Sequence, residues 1–471
     1  MIIKKVLSTW FQETGLRLDC SPYATGALEA KQALRDLDSE CDHLGELTAG
    51  YKGGIYNGPV FKRNYVEHEE YGVKFLTTSS MIQARMNRVS LLRKEDAYSK
   101  KLSYLELKKG MTMISCSGTI GRMVYTRRTM DGTWSCQDML KVVCDSDKAQ
   151  SGYAYAFLAS KFGVPIITSS TYGAIIPHIE PEHIANLPIP RFAKSLESEI
   201  HEKVDQASEF RSDSEELLEK AGKMVNAKFN FPEKLAISHR IFTHSAASSS
   251  LVQKRMDATY HDQIAQLSDE LIEKAGAVNN LAELGIQALE GNRMKQIFTG
   301  EDYGVPFFTS GEIFRADVTP ERFLLRKSLK GDAVWQTREE DLLIARSGQV
   351  GGIIGTGVWA DSRFDGACVS PHVLKLRVTN QSVDAGYLYA FLCCTDVGYR
   401  QLIRGAAGSS VPFLSVSDIL AVKLPRMSKD DESRIGEMVR KAGRLAAEAQ
   451  KLEKEAVKMV EEAIEAAAPK H

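Results

Sequence analysis

The clearest pattern in the chain follows Pro425-Arg426. Apolar residues recur there at Ile435, Met438, Ala442, Leu445, Ala449, Leu452, Ala456, Met459 and Ala463, in steps of three and four. Such a heptad seam requires a second helix packed along its length. A related stripe occurs about 235 residues earlier, at Ile200, Ala207, Phe210, Ser214, Leu217, Ala221 and Met224, with Lys203 and Lys228 at positions where the seam expects apolar residues. Neither 196–228 nor 430–466 contains a proline. The pattern therefore predicts two long antiparallel helices of about 45–55 Å each. Ser428 is the predicted N-cap of the second, with Asp430, Asp431 and Glu432 in its first turn to oppose the helix dipole.

Ahead of each helix the pattern shortens. Val73–Leu76, Met111–Ile114, Met123–Tyr125, Asp341–Ala345 and Gly352–Gly355 read as short β-runs between turns. A helix around Tyr153–Lys161, and its counterpart Tyr387–Cys394, follow the strands. The fold class is α+β.

The chain also repeats itself once. Glu-Tyr-Gly-Val-Lys-Phe-Leu-Thr (70–77) returns as Asp-Tyr-Gly-Val-Pro-Phe-Phe-Thr (302–309). Gly-Tyr-Ala-Tyr-Ala-Phe-Leu (152–158) returns as Gly-Tyr-Leu-Tyr-Ala-Phe-Leu (386–392). Ser117–Gly121 matches Ser347–Gly351, Pro190-Arg191 matches Pro425-Arg426, Leu44–Leu47 matches Leu281–Leu284, and Arg17-Leu18-Asp19 matches Arg255-Met256-Asp257. Order and spacing are kept across these anchors, so the chain is a tandem duplication with a pseudo-twofold layout. The expected segments are an N-terminal segment packing with the helical region (1–42), a globular domain (43–191), a spacer helix (192–230), a linker with a repeat of the N-terminal segment (231–280), a second globular domain (281–426) and a C-terminal spacer helix (427–471). Ser245–Ser250 marks the linker.

With 471 residues, 43% hydrophobic and 26% charged, the chain is an ordinary multidomain protein rather than a disordered one. It has no run of about 18 apolar residues and no signal-peptide core at its start, so a cytoplasmic protein without a membrane span is expected. The eight cysteines form no C-x-x-C pair and read as reduced core thiols, including Cys393-Cys394 in a buried helix. The net charge of −1 conceals a regional split. Residues 43–191 carry 19 Lys+Arg against 13 Asp+Glu, whereas 281–426 carry 16 of each.

Catalytic patterns are thin. Ser21-Pro22-Tyr23 lacks the second proline of an amino-methyltransferase motif, and no Gly-rich S-adenosylmethionine loop adjoins it. Asp96 with Glu106 and Lys108 has the spacing of a nuclease carboxylate–lysine set, which the second copy does not keep. There is no phosphate-binding G-x-x-x-x-G-K-[ST] loop. His178 and His183 lack metal-helix spacing and read as loop or capping residues.

The duplicated layout, the Ser-Gly-Thr-Ile-Gly turn followed by Arg122, and the approaches Tyr172–Ile179 to Leu187–Pro190 and Arg404–Pro412 to Leu424-Pro425 resemble the specificity subunit of type I restriction-modification systems. The resemblance covers nearly the whole chain. It implies two target-recognition domains separated by the helices, each domain reading one half of a bipartite, asymmetric DNA target. It implies a subunit without catalysis of its own, whose partners are double-stranded DNA, two methyltransferase subunits and, where the system has them, restriction (translocase/nuclease) subunits. No cofactor is expected on this chain; S-adenosylmethionine is expected on the methyltransferase partners. The same layout serves type IIB and other phage-defence methyltransferase systems. The rivals from other classes are a single-chain DNA nuclease and a coiled-coil scaffold.

Basic, amide and hydroxyl side chains suit phosphate and base-edge contact. The candidates in the first copy are Lys62, Arg63, Asn64, Arg85, Arg88, Lys100, Lys101, Ser117, Thr119, Arg122 and Arg127, with Asn87 and Arg128 beside them. In the second copy they are Arg293, Lys295, Arg315, Arg346, Ser347, Gln349 and Arg404, with Asn292. The glycines of the two Ser-Gly turns are expected to form tight turns near the groove. The partner-docking helices are assigned through Ile200, Ala207, Leu217, Met224, Ile435, Leu445, Leu452 and Met459.

Overall fold

The computed structural model describes residues 6, 8–13, 21–37, 39–169, 178–236, 260–291, 295–329, 334–408 and 410–468. Arg17–Asp19, Arg255–Asp257, Tyr172–Pro177, the Ser245–Ser250 linker, Asn292 and Arg293 lie outside the described residues. The chain forms two compact units, one of Met1–Ser212 with Glu448–His471 and the other of Asp213–Ala447. The boundary falls inside both long helices, Lys194–Phe229 and Lys429–Ala467, so each unit owns half of each helix.

In the first unit ten short strands are described. They are β1 (Cys41–His43), β2 (Ile55–Tyr56), β3 (Tyr65–Val66), β4 (Gly72–Leu76), β5 (Ser90–Arg93), β6 (Thr112–Ser115), β7 (Met123–Tyr125), β8 (Trp134–Ser135), β9 (Met139–Val142) and β10 (Pro188–Pro190). They pair as β2-β9-β6-β7, β3-β5-β4-β8 and the ribbon β1-β10, with only β4–β8 parallel. β6 and β9 are buried throughout, as strands covered on both faces should be. Ile114, Leu140 and Val142 pack against the helix Ser151–Leu158 and against Ile200, Val204, Ala456, Val460 and Ile464 of the long helices. Ala30 and Leu34 of the N-terminal helix Ala27–Arg35 join the same core.

The second unit repeats this strand by strand. Its strands are β11 (Val278–Asn280), β12 (Gln287–Glu290), β13 (Phe298–Thr299), β14 (Gly304–Phe308), β15 (Phe323–Leu325), β16 (Leu342–Ala345), β17 (Gly357–Trp359), β18 (Cys368–Val369), β19 (Val373–Arg377) and β20 (Lys423–Pro425). The sheet orders are β12-β19-β16-β17, β13-β15-β14-β18 and β11-β20, again with one parallel pair, β14–β18. Gly352–Gly355, read from sequence as a strand, is instead a run of turns; the strand begins at Gly357.

The Pro-Arg steps acquire a physical role here. The Tyr153 hydroxyl donates to the Pro190 carbonyl, and the Tyr387 hydroxyl donates to the Pro425 carbonyl. Arg191 forks onto Glu197 at 3.0 Å through both Nε and Nη2, and Arg426 onto Glu432 at 2.8 and 3.0 Å. Each glutamate is buried and also accepts the backbone N–H of the residue after its arginine. One arginine thus ties the last strand of each domain to the first turn of the long helix, where a carboxylate also complements the dipole. Ser428 caps the second long helix as expected, accepting from the Asp431 N–H at 3.2 Å.

The helix halves pack in opposite directions within each unit. Lys203 pairs with Glu455 at 3.1 Å in the first unit, and Lys228 with Asp431 at 3.1 Å in the second. The two lysines that interrupt the apolar stripe are therefore paired, not misplaced. Ile200, Ala207, Ile435 and Leu452 are buried in the chain's own core, so their side chains hold the helices in the fold and offer no docking surface to a partner, whereas Leu217, Met224, Met438, Leu445 and Met459 are only half-buried. The buried neighbours are Leu218, Val225, Val439 and Val460, one residue further on. The cause is geometric. A straight helix advances 3.6 residues per turn, so a strict heptad drifts around it. These halves also face their own sheet domain, which widens and turns the buried face.

Candidate nucleic-acid interface

Strand register brings three connections to one end of the main sheet in each unit. In the first, the β6–β7 turn leaves at Ser115, β9 begins at Met139, and the chain leaves β2 beyond Tyr56. The β6–β7 turn is Ser-Gly-Thr-Ile-Gly, with Gly118 at φ 72° and Gly121 at φ 86°, a left-handed backbone that L-residues resist. A Cβ on Gly118 would meet nothing within 4 Å, so this glycine serves the turn's shape rather than its packing. Ser115 staples the turn: its Oγ donates to the Thr119 carbonyl at 2.6 Å and accepts the Arg122 N–H at 3.0 Å. Ser117 bridges His178, which joins the two sequence motifs in space.

Around this turn Thr119 is exposed, while Ser117 and Arg122 are half-buried. Lys62 is exposed on the β2–β3 loop. Arg63 donates to the Gln137 side chain at 2.9 Å, lies 3.8 Å from Asp138 and sits over the Phe75 ring. Asn57, from the same loop, donates to Glu180 at 2.9 Å. The exposed end therefore combines Lys62, Arg63 and Thr119 with the exposed Val60, on a loop pinned through Asn57 and Arg63.

The equivalent end of the second unit differs. Its turn is longer, closing at Thr356 rather than at the counterpart of Arg122, with Gly348 at φ 147° and Gly351 at φ 84°. Ser347 bridges Phe413 and lies 3.3 Å from the His372 ring. Val350 and Ile353 on the turn and Val411 and Phe413 opposite are exposed. Gln349 is exposed, its amide 3.5 Å from the Ser410 carbonyl. Four exposed apolar side chains thus stand on or opposite this turn, beside exposed Gln349 and, on the β12–β13 loop, exposed Lys295.

Other candidates separate into reachable and committed groups. Lys100 and Lys101 are exposed at the centre of the Ser99–Leu102 turn, and Arg88 and Lys295 are also exposed. Arg85 is half-buried. Asn64 donates to Asp96 at 2.9 Å, and Arg315 pairs with Glu321 at 2.7 Å. Three arginines are engaged within the fold, and Arg127, which is buried, offers no surface to DNA. Arg127 is 1% exposed and donates to the Ala84 carbonyl at 3.2 Å and to Thr129 at 3.1 Å. Arg346 pairs with Glu290 at 2.9 Å, donates to the Leu414 carbonyl and covers Phe413. Arg404 is paired with Asp269, donates to the Tyr260 carbonyl and lies 4.4 Å from that ring. Arg128, beside Arg127, pairs with Glu209 at 3.1 Å.

Sequence reasoning missed an anchor. Arg127 holds the Ala84 carbonyl; in the second unit Arg363, from the corresponding turn, holds Ala316 at 3.2 Å. Both fix the segment after β4 or β14 that carries the candidate cations Arg85 and Arg88, or Arg315. The buried lysines Lys141 and Lys375 were missed too. They occupy matching positions in β9 and β19, donating to the Cys136 and Met139 carbonyls and to the Val334 and Trp335 carbonyls. Burial pushes both ammonium groups down to about 8.

The nuclease-like residues are occupied elsewhere. Asp96 accepts from Asn64 and Arg93, whose hydrogen bonds hold it below the usual carboxylate range, and Glu106 pairs with Lys108 at 2.5 Å. His183 caps its helix, its Nδ1 accepting the Glu180 N–H at 2.9 Å. Among the described residues no group of three His, Cys, Asp or Glu could hold a metal ion. No helix among them is long and apolar enough to cross a membrane.

No family model and no curated protein matches the chain. Among solved structures it is similar to a type I restriction-modification system S subunit from M. genitalium, at 13% identity over 93% of this chain and 97% of that one, with a TM-score of 0.32. It is similar to the HsdS subunit from Thermoanaerobacter tengcongensis, at 13% identity over 93% and 95%, TM-score 0.26. A chain from a study of complex assembly and conformational transition of the type I R-M system gives 14% identity over 91% and 96%, TM-score 0.28. Superpositions this loose support no argument about function, which rests on the residues of this chain.

Proposed function

We propose that this chain is the non-catalytic DNA-sequence specificity subunit of a type I restriction-modification complex. Each unit reads one half of a bipartite, asymmetric DNA target, and the long helices link the two readings and dock two methyltransferase subunits, which carry S-adenosylmethionine. One observation carries the reading: two units share every described strand pairing, yet carry turns of different length with different exposed side chains, Thr119 in one and Gln349, Val350 and Ile353 in the other. A duplicated scaffold with unlike ends suits two different half-sites. Base-edge recognition needs that variety, since polar side chains address donors and acceptors and apolar ones the thymine methyl group.

An electrophoretic shift assay with purified chain, with and without a co-expressed methyltransferase subunit, tests the reading. Tight, sequence-dependent binding that requires the partner is expected, because the chain's charge is −1 and its own phosphate grip is weak. Cleavage of DNA by the chain alone with Mg²⁺ would instead support the nuclease.

A further inference from the structure

The strongest sequence anchor of the duplication contains two kinds of position. In Glu69-Glu70-Tyr71-Gly72-Val73 and Glu301-Asp302-Tyr303-Gly304-Val305, the fold accounts for the last two residues. Val73 and Val305 are buried. A Cβ on Gly72 would fall 2.7 Å from the Leu91 Cβ, and one on Gly304 would fall 2.3 Å from the Phe323 Cβ. The tyrosines are a different matter: Tyr71 is 57% exposed and Tyr303 is 70% exposed. Core packing does not ask for an aromatic ring at either place.

Both tyrosines are held in the same setting. Each ends a turn, the Tyr71 N–H donating to the His68 carbonyl at 3.1 Å and the Tyr303 N–H to the Gly300 carbonyl at 3.3 Å. A cation from the neighbouring strand end braces each turn through backbone. Lys94 donates to the Glu70 carbonyl at 2.7 Å, and Arg326 donates to the Gly304 carbonyl at 3.2 Å. A solvent-facing tyrosine on a turn whose backbone is held has only two side-chain rotations to order on docking and supplies a large amphipathic contact. The two preceding acidic residues are exposed in both units, which disfavours a phosphate backbone at this spot.

We propose that Tyr71 and Tyr303 are equivalent docking anchors, one on each unit, for two copies of a single protein partner whose surface offers an aromatic-accepting pocket with a cationic rim. Identical anchors on both units call for identical complements. On the functional reading above, on which this proposal rests, the partner is the methyltransferase subunit, and docking involves the recognition domains as well as the long helices.

The test uses the full chain co-expressed with the host's type I methyltransferase subunit, with copies per chain counted by native mass spectrometry. The wild type should hold two copies. Tyr71→Ala or Tyr303→Ala should weaken one of them by about 30–100-fold, as for a central aromatic anchor, leaving one copy at concentrations that saturate the wild type. The double variant should weaken both, and Tyr→Phe variants should keep two. Because both side chains are exposed, thermal melting should be unchanged. Single alanine variants that keep two copies at unchanged affinity overturn the proposal, and so do variants that keep two copies but lose DNA affinity. A wild type that takes up no methyltransferase subunit overturns the functional reading itself, and the docking proposal with it.

Discussion

The two ends where the Ser-Gly turns sit share one scaffold and differ in the length of the turn and in the side chains it shows to solvent. In the first unit a short turn is stapled by Ser115, beside Lys62 and the pinned Arg63. In the second, Ala345 takes the place of Ser115, the turn is longer, and Val350, Ile353, Val411 and Phe413 are exposed. The bolts beneath are the same: Arg191 on Glu197 and Arg426 on Glu432, Arg127 on Ala84 and Arg363 on Ala316. The lesson is a division of labour. These particular contacts repeat because the fold needs them; the turns diverge because the half-sites they are proposed to read differ.

The largest expected effects test whether the bolts are equivalent. Arg191→Ala and Arg426→Ala each strand a buried glutamate and should cost about 3–5 kcal/mol in denaturant unfolding. A large cost in one unit and none in the other would break the comparison. Next come the buried lysines. Their folded pKa of about 8 lies below the ordinary value, so between about pH 8 and 10 the unfolded chain binds more protons and each lysine's contribution to stability rises with pH. Lys141→Met should therefore gain on the wild type at pH 7 relative to pH 10, by up to about 3 kcal/mol. A pH-independent difference between the two proteins would contradict this. Arg127→Ala and Arg363→Ala should each cost about 2 kcal/mol and raise protease sensitivity in 77–89 or 309–321 respectively, read by limited proteolysis. Smallest in stability are Gly118→Ala and Gly348→Ala, at about 1 kcal/mol. Both should nonetheless lower DNA affinity of the complex several-fold with the fold intact. Unchanged binding by both would remove the turns from the interface.

Much of the fold was legible in the sequence, and the reason is local. The duplication, the Pro-Arg steps and the two long helices are patterns of neighbours or of period, visible without a third dimension. The site was less legible because charge availability depends on distant partners. Arg191 meets Asp42, Arg404 meets Asp269 and Arg346 meets Glu290, and no spacing rule connects these residues. The seam was misplaced at Leu217, Met224 and Met459 because the helices pack against a sheet domain as well as each other. Tyr71 and Tyr303 could have been noticed, since they stand in the best-matched stretch of the repeat; only their exposure separates them from the core residues beside them.

The most direct test of the central claim is methylome sequencing of the host with this chain intact, deleted, or carrying the second unit's turn replaced by the first unit's. The account predicts that deletion abolishes adenine methylation at one split, asymmetric sequence, and that the turn replacement alters one half of that sequence while leaving the other unchanged. A methylome unaffected by deletion, or a replacement that changes both halves together, would contradict it.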